Sequence, residues 1–438
     1  MIRMNDMIIN NASLRKLIKS TYTLPDLEAL NKFFRAHDTL KLVIKDNGLY
    51  PAVTTEEKES ISGYTNTWVR DTIMITNYQY ELGNFNAAVK TVETLRDYFY
   101  KHRSRFENII EGKADKDDPM QRPHIRFNGD SLEEINQKWA HAQNDALGYF
   151  LWMLFKLANA NKYTFIGKDY EICSLFPLYF EAVEYWQDKD SGHWEEARKI
   201  ESSSIGTAAA ALKEMKTFLE NRPSNLFTAL NRDITVDYLD FLIDKGKKQL
   251  QAFLPDESPP ARKADGALLF LIYPLQVAGE QQAQKVLNSV LSNLKGDYGI
   301  KRYIGDSYWC ADYKKFLKEE DRTVDFSDDM DNRDKMLQPG KEAQWCIFDP
   351  IVSIIYGKRY LESKDPEDLN WQTYYFNRSL GQITSMDFYL GEGKCPEAYY
   401  IEDSTQGIYV PNDHVPLTWT QANLGIAFNY MRRSLASW

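Results

Sequence analysis

The sequence predicts an all-α toroid, with helices paired around a ring and long loops at one end forming a site. Two observations carry this expectation. Apolar residues recur at three- and four-residue steps through about a dozen segments. Between those segments, long polar stretches alternate with short connections. Strand-like runs are short and few.

The first helical stretch runs through LEALNKFFRAHDTLKLVI (27–44). The same period marks 69–81, 85–100, 141–160, 168–185, 203–220, 232–251, 267–277, 280–295, 342–362, 366–382 and 417–435. The long loops fall at 50–67, 104–138, 186–202, 253–265, 298–341 and 389–416. Compact domains carry many such loops mainly where the loops have a task. Length alone allows two or three domains, but no Pro-, Gly- or Ser-rich linker divides the chain, which reads as one unit over 1–438. The acidic run EEDRTVDFSDDMDNRDKM (319–336) lacks the Gly and the terminal Glu of an EF-hand loop and reads as a solvated loop.

Composition narrows the function. A hydrophobic share of 43% and a charged share of 26% describe an ordinary soluble chain with ample core. The net charge of -10 argues against nucleic acid, which needs a basic face. Ten Trp and 27 Tyr suit sugar binding, where flat rings stack on pyranose faces. Cys173, Cys310, Cys346 and Cys395 lie far apart with no CxxC or metal spacing, so they read as buried free thiols in a reducing compartment. The start, MIRMNDMIINNASLRKLIKS, reads as no signal peptide, and no run of about 18 apolar residues predicts a membrane span. A cytoplasmic protein is expected.

The motifs lie in the loops. GYTNTWVRDT (63–72) sets Arg70 and Asp71 beside Trp68 at a helix start. This is either a helix-end ion pair, with Asp71 favoured by the dipole, or a sugar grip of charged hydrogen-bonding groups against an indole wall. NQKWAHAQNDALGYF (136–150) crowds Trp139, His141, Gln143, Asn144 and Asp145 at a second junction. A capping role suits Asn144 or Asp145, and His141 reads as a satisfied histidine. In DKDSGHWEEARKIESSSIG (188–206), Glu195 and Glu196 follow Trp194. Repulsion and desolvation there would raise at least one carboxyl pKa, as a general acid requires, and the serines read as caps. In GIKRYIGDSYW (299–309), Arg302 and Asp306 pair with each other or with ligand. Glu397 follows a proline in the last long loop, either as a second working carboxylate or as a surface glutamate.

Together these motifs resemble glycoside hydrolase family 15, the glucoamylases, and their relatives the phosphorylase kinase α and β subunits. TWVRD (67–71), WAHAQND (139–145), WEE (194–196), SSSIGTAAAAL (202–212), ADGALLFLIYPL (264–275), YGIKRYIGDSYW (298–309), EAQW (342–345), PEAYY (396–400) and PLTWTQANL (416–424) run in family order. ADGALLF and YGIKRY look more like the kinase-subunit branch. The resemblance implies an (α/α)6 barrel, a six-hairpin toroid without a cofactor or metal. It also implies an inverting exo-hydrolase that releases β-glucose from non-reducing ends of α-glucans or oligosaccharides.

By the same resemblance Glu195 is the general acid, Glu397 the general base, and Tyr64 helps hold the water. Arg70 and Asp71 match residues gripping the terminal glucose, while Trp139, Glu196 and Arg302 match further sugar contacts, with Trp68 and Trp194 as apolar walls. Fungal members carry an aspartate three residues before the acid, where this chain has Gly192. Two other readings stay open: the same fold acting on trehalose or an α-1,6-glucan, and a non-catalytic carbohydrate-sensing or regulatory protein.

Overall fold

The computed structural model describes residues 7–53 and 66–437. Twelve helices organise it: α1 Leu24–Ala36, α2 Val69–Glu81, α3 Phe85–Lys101, α4 Asn144–Asn159, α5 Gly167–Ala182, α6 Ser202–Asn221, α7 Val236–Phe253, α8 Leu269–Ile272, α9 Glu280–Leu294, α10 Phe348–Ser363, α11 Pro366–Gly381 and α12 Thr418–Ala436. Helix α2 packs on α4, α4 on α6, α6 on α8, α8 on α10, α10 on α12, and α12 back on α2. That closes a ring of six. Outside it, α3 lies on α2 and α4, α5 on α3 and α4, α7 on α6, α9 on α8, α11 on α10 and α12, and α1 on α12. The architecture is an (α/α)6 barrel.

Burial separates the two rings. The outer α7 hides one stripe, Leu239, Leu242, Ile243, Gly246 and Leu250, and α9 hides Ala283, Val286, Leu287, Val290 and Leu294. These spacings are those of a helix with one wet face. The inner helices have no wet face near their starts: every residue of 144–155, 202–212, 348–355 and 418–428 is buried. Small residues let the inner helices meet closely. A Cβ on Gly148 would sit 2.9 Å from the backbone nitrogen of Ala208, so α4 and α6 touch main chain to main chain there.

Connections alternate as expected. Inner-to-outer links are short, such as 82–84 and 364–365, whereas outer-to-inner links such as 102–143, 295–347 and 382–417 are long. The long loops therefore all lead into the N-termini of inner helices and lie at one end of the barrel. Two three-stranded antiparallel sheets brace that end. One joins β1 Thr67–Trp68, β2 Arg126–Asn128 and β3 Glu133–Glu134; after the small hairpin of β4 Thr228–Ala229 and β5 Arg232–Asp233, the other joins β6 Gln344–Trp345, β7 Ala398–Ile401 and β8 Tyr409–Pro411. Trp68 pairs with Arg126, and Trp345 with Ala398.

Several boundaries differ from the periodic reading. The helix expected over 27–44 stops at Ala36. The one expected over 267–277 shrinks to Leu269–Ile272 after a 3-10 turn at Gly266–Leu268, and that over 342–362 begins only at Phe348 because Gln344–Trp345 is strand. The four cysteines are buried and unpaired. Among the described residues, no helix is long and apolar enough to cross a membrane.

Candidate functional site

A cavity at the loop end is lined by residues at or shortly before the N-termini of α2, α4, α6, α10 and α12. Its volume is about 120 Å³, well above the ~10–15 Å³ that one water needs. Trp68, Arg70, Asp71, Trp139, Trp194, Glu195, Arg302 and Glu397 all line it, although they span more than three hundred positions of sequence. Tyr64 lies outside the described residues.

Glu195 sits in the left-handed backbone region (φ 59°, ψ 43°), just after the 3-10 turn Gly192–Trp194. That conformation turns its side chain away from the path of Glu196, so adjacent carboxylates reach different surroundings. Its Oε2 accepts from the Trp68 indole at 3.4 Å and its Oε1 from Gln143 Nε2 at 3.2 Å. Arg70 Nη1 stands 3.9 Å from Oε1. Burial pushes the Glu195 carboxyl above its ordinary pKa, and Arg70 opposes that rise without cancelling it.

Arg70 is held in place from behind. Its Nε pairs with Asp145 Oδ2 at 2.6 Å, and its Nη2 donates to Gly192 O at 3.0 Å and to Gln143 Oε1. Gln143 thus bridges Arg70 and Glu195. Asp145 caps nothing: the N-cap of α4 is Gln143, and the Asp145 carboxylate serves Arg70, with His193 Nδ1 at 3.5 Å. Asn144 instead donates to Asp188 Oδ2 at 2.8 Å. Asp71, in the first turn of α2, is pushed up to about 6, mainly by burial; Arg70 pulls it down and Glu195 pushes it further up.

Glu397 leads into β7 and is 4% exposed. Its backbone is fixed on both sides, with its N–H donating to His414 O at 3.1 Å and its carbonyl accepting from Cys346 N at 2.9 Å. Its Oε2 accepts from Asn412 Nδ2 at 2.6 Å. The surface-glutamate reading does not hold.

Glu196 does not line the cavity. Its Oε1 accepts from Tyr303 Oη at 2.6 Å, Arg333 Nη2 at 2.7 Å and Arg302 Nη2 at 3.3 Å, and its Oε2 from Arg262 Nη2 at 2.8 Å. Burial alone would raise its pKa; the guanidiniums of Arg262, Arg302 and Arg333 overcome that and hold it well below the usual range. With four donors on two oxygens, this carboxylate organises the cavity wall from behind. Arg302 also forms a two-pronged pair with Asp306, at 2.6 Å on each prong, and its guanidinium lies 4.9–5.1 Å from the rings of Tyr308, Trp345 and Trp194.

The aromatic wall is extensive. Trp68 meets Trp139 edge-on at 6.1 Å, with the Arg126 guanidinium 3.9 Å from the Trp139 ring. The indole nitrogens of Trp345 and Trp419, two residues of the lining, are buried with no hydrogen-bond partner among the described residues. By contrast, Trp194 donates to Asp265 at 2.9 Å.

The remaining sequence readings hold in part. The serines form the first turn of α6 and do not cap it, the N-cap being Glu201; Ser203 donates to the buried carboxylate of Glu257 through its backbone at 3.2 Å and through its hydroxyl. His141 is indeed structural, stacked 3.7 Å from His124 and pushed well below its ordinary pKa by burial. The acidic run 319–336 is largely exposed, as read, with only Arg333 buried, but Thr323, Val324, Asp325, Phe326 and Arg333 also line the cavity. Nothing local signalled this, because its anchors, Glu196 and Asp413, are remote in sequence. Trp345 and Trp419 were legible as tryptophans within EAQW and PLTWTQANL but were not singled out. Among the described residues, no cluster of three or more His, Cys, Asp or Glu side chains is arranged to hold a metal.

A family model described as glycosyl hydrolases family 15 matches residues 29–337. The chain belongs to glycosyl hydrolases family 15. The matched stretch includes Glu195 and ends before Glu397. A probable phosphorylase b kinase regulatory subunit alpha from Drosophila melanogaster is 28% identical over 204 residues, covering 43% of this chain but 16% of that subunit. Among solved structures, a glycosidase variant in complex with glucose superposes with a TM-score of 0.64 at 13% identity, covering 97% of this chain and 99% of that one. A glucoamylase from Saccharomycopsis fibuligera gives a TM-score of 0.60 at 12% identity, covering 96% and 97%. At these identities the likeness is one of fold.

Proposed function

We propose that this member of family 15 is an inverting, exo-acting hydrolase that releases glucose from the non-reducing ends of α-glucans or oligosaccharides. The observation that carries this reading is a pair of unlike carboxylates lining one cavity. Glu195 holds its proton more tightly than an ordinary glutamate, because burial against indoles disfavours the charged form. Glu397 reaches the same cavity from a different loop, with Asn412 fixing one oxygen.

In this reading Glu195 protonates the departing glycosidic oxygen, and Glu397 takes a proton from a water that attacks the anomeric carbon on the opposite face. The water needs room, so the account requires roughly 6.5–9.5 Å between the two carboxyl groups. Arg70, preset by Asp145, and Asp71 grip the terminal sugar's hydroxyls by charge-assisted bonds. Trp68, Trp139 and Trp194 wall it, and Arg302 bounds the far side. Glu196 acts indirectly, by holding Arg302 and Arg333. Support for glucose as the sugar comes from the fold neighbour that carries it.

The similarity to a kinase regulatory subunit favours a second reading, a non-catalytic carbohydrate sensor. A panel of maltose, isomaltose, trehalose, maltooligosaccharides and glycogen, assayed for glucose release, separates the two and assigns the linkage. Release that disappears in Glu195→Gln supports hydrolysis. Sugar binding without release from any member supports the sensor.

A further inference from the structure

A second cavity, of about 390 Å³, opens between α1, α2 and α12. It is larger than the cavity that holds Glu195 and has no lining residue in common with it. Its volume falls within the roughly 300–1,000 Å³ of small-molecule sites. Tyr78 lines it, about 12 Å further along α2 than Arg70 at ~1.5 Å of rise per residue. The packing around it sets its shape. Phe34 and Phe428 meet edge-on at 5.4 Å and form its buried apolar side. The turn after α1 is fastened to α12, because Gln421 Nε2 donates to Thr39 O at 2.9 Å and to Lys41 O at 3.2 Å. The α1 carbonyls of Phe33 and Phe34 are capped by the N–H groups of His37 and Thr39. Gly425 admits the Tyr78 ring onto the α12 backbone: a Cβ there would lie 2.3 Å from Tyr78 Cε2 and 2.9 Å from its Cζ.

The charge of the lining is one-sided. Arg35, Lys41 and Arg432 stand against one carboxylate, Asp38, which Lys41 already pairs at 3.3 Å. Among the described residues, Arg35 and Arg432 make neither an ion pair nor a hydrogen bond. Exposed arginines are satisfied by water, so they alone do not make a site. Tyr78 supplies a second, independent observation. It is 9% exposed, and its hydroxyl meets no hydrogen-bond partner among the described residues; burial is the cause that lifts its pKa to about 12. A tyrosine hydroxyl withdrawn from water usually has a partner. The space that Tyr78 lines is this cavity, and its two unengaged cations attract an anion. We infer that the cavity is a second ligand site, which takes a small free molecule with a phosphate or carboxylate group on an aromatic or apolar body. Charge-assisted bonds from Arg35 and Arg432 hold the anionic group. The body lies along Phe34, Phe428 and Leu82, the last being 40% exposed at the cavity edge. The Tyr78 hydroxyl donates to an oxygen of the ligand. The site stands whether or not the protein hydrolyses glycosides.

Titration calorimetry with 1-naphthyl phosphate, uncharged 1-naphthol and inorganic phosphate tests this. Naphthyl phosphate should bind at one site per chain, more tightly than either naphthol or phosphate. Arg35→Gln and Arg432→Gln should each weaken it roughly 10- to 100-fold, as loss of a charge-assisted hydrogen bond predicts, and leave naphthol unaffected. Tyr78→Phe keeps the ring and drops the hydroxyl, and should weaken naphthyl phosphate roughly 2- to 10-fold. Circular dichroism of each variant confirms the fold. Glu195→Gln reports on location, because removing a carboxylate from the other cavity would change the affinity of an anion bound there; here the affinity should stay as in the wild type. The inference is overturned by any of four results: no binding of naphthyl phosphate, equal binding of naphthol, wild-type affinity in the arginine variants or in Tyr78→Phe, or an affinity that shifts in Glu195→Gln. None of these results depends on glucose release, so the hydrolase reading and this site stand or fall separately.

Discussion

The carboxylate of Glu201 occupies the space beside Gly192: a Cβ on Gly192 would lie 1.4 Å from Glu201 Oε2. Gly192 also has a φ of +53°, which disfavours any side chain. Its carbonyl accepts from Arg70, so the glycine fixes the turn that aims Glu195. The Glu201 carboxylate reaches this turn from a position three residues after Arg198 and just before α6.

Gly192→Ala should therefore unfold more easily, by about 1–3 kcal/mol from overpacking and left-handed backbone cost together, and should lose activity. Adding Glu201→Ala should recover part of the stability, because it clears the collision. Urea denaturation of the single and double variants checks this; a Gly192→Ala protein as stable as wild type refutes the packing argument.

Asp71 couples activity against stability. Its pKa is raised to about 6 in the fold, so the folded protein binds a proton that the unfolded chain has released between about pH 4 and 6. Its contribution is therefore favourable below the unfolded value and is lost as pH rises through about 6. Asp71→Asn removes the buried charge. It should lower kcat/KM strongly yet leave the protein equally or more stable at pH 7–8, by on the order of 1–3 kcal/mol. Denaturation at pH 4 and pH 8 with parallel kinetics tests the pairing, and a variant with wild-type turnover would return Asp71 to a helix-end role.

Glu196 should behave as an organiser of the wall. Glu196→Gln leaves Arg262, Arg302 and Arg333 crowded without their common anion. Removing one member of a buried charge cluster costs roughly 3–5 kcal/mol. Thermal melting should show a large loss even in ligand-free protein. A residue that served only to bind sugar would leave the melting point unchanged.

The two working carboxylates should separate by leaving group. Glu195→Gln lacks the proton donor, so sugar leaving groups should slow by two or more orders of magnitude while a glycosyl fluoride is partly spared (general acid–base catalysis contributes roughly 10²–10⁴-fold). Glu397→Gln should slow both. Because burial raises the Glu195 pKa, the alkaline limb of the wild-type profile, where the acid must stay protonated, should extend above the ordinary glutamate range and vanish in Glu195→Gln. Two variants of full activity would reject both assignments.

The fold was legible where one face of a helix is wet. The stripe Leu239, Leu242, Ile243, Gly246 and Leu250 announces α7. The inner helices were read from the same period, with the starts near Val69, Ser202 and Thr418 placed to within a residue and the one expected at 342 set six residues too early. At Gln344–Trp345, strand pairing with Tyr399 and Ala398 overrides the local helical pattern, which propensity cannot foresee. In the site, residues whose chemistry is written in their neighbours, such as Arg70–Asp71 and Trp194–Glu195, were legible and now line one cavity. Glu196 was misread because its partners Arg262, Arg302 and Arg333 lie 66 to 137 residues away. The place of Asp325 and Arg333 in the lining was hidden for the same reason: the run that carries them is largely exposed, and its anchors are remote.

The most direct measurement of the central claim is proton NMR of the first minutes of hydrolysis by the wild-type protein, using the best substrate of the panel. Attack by water opposite the departing group, with Glu195 as acid and Glu397 as base, predicts β-glucose as the first anomer, followed by mutarotation. Initial α-glucose, or no glucose from any glycoside despite bound sugar, would contradict the account.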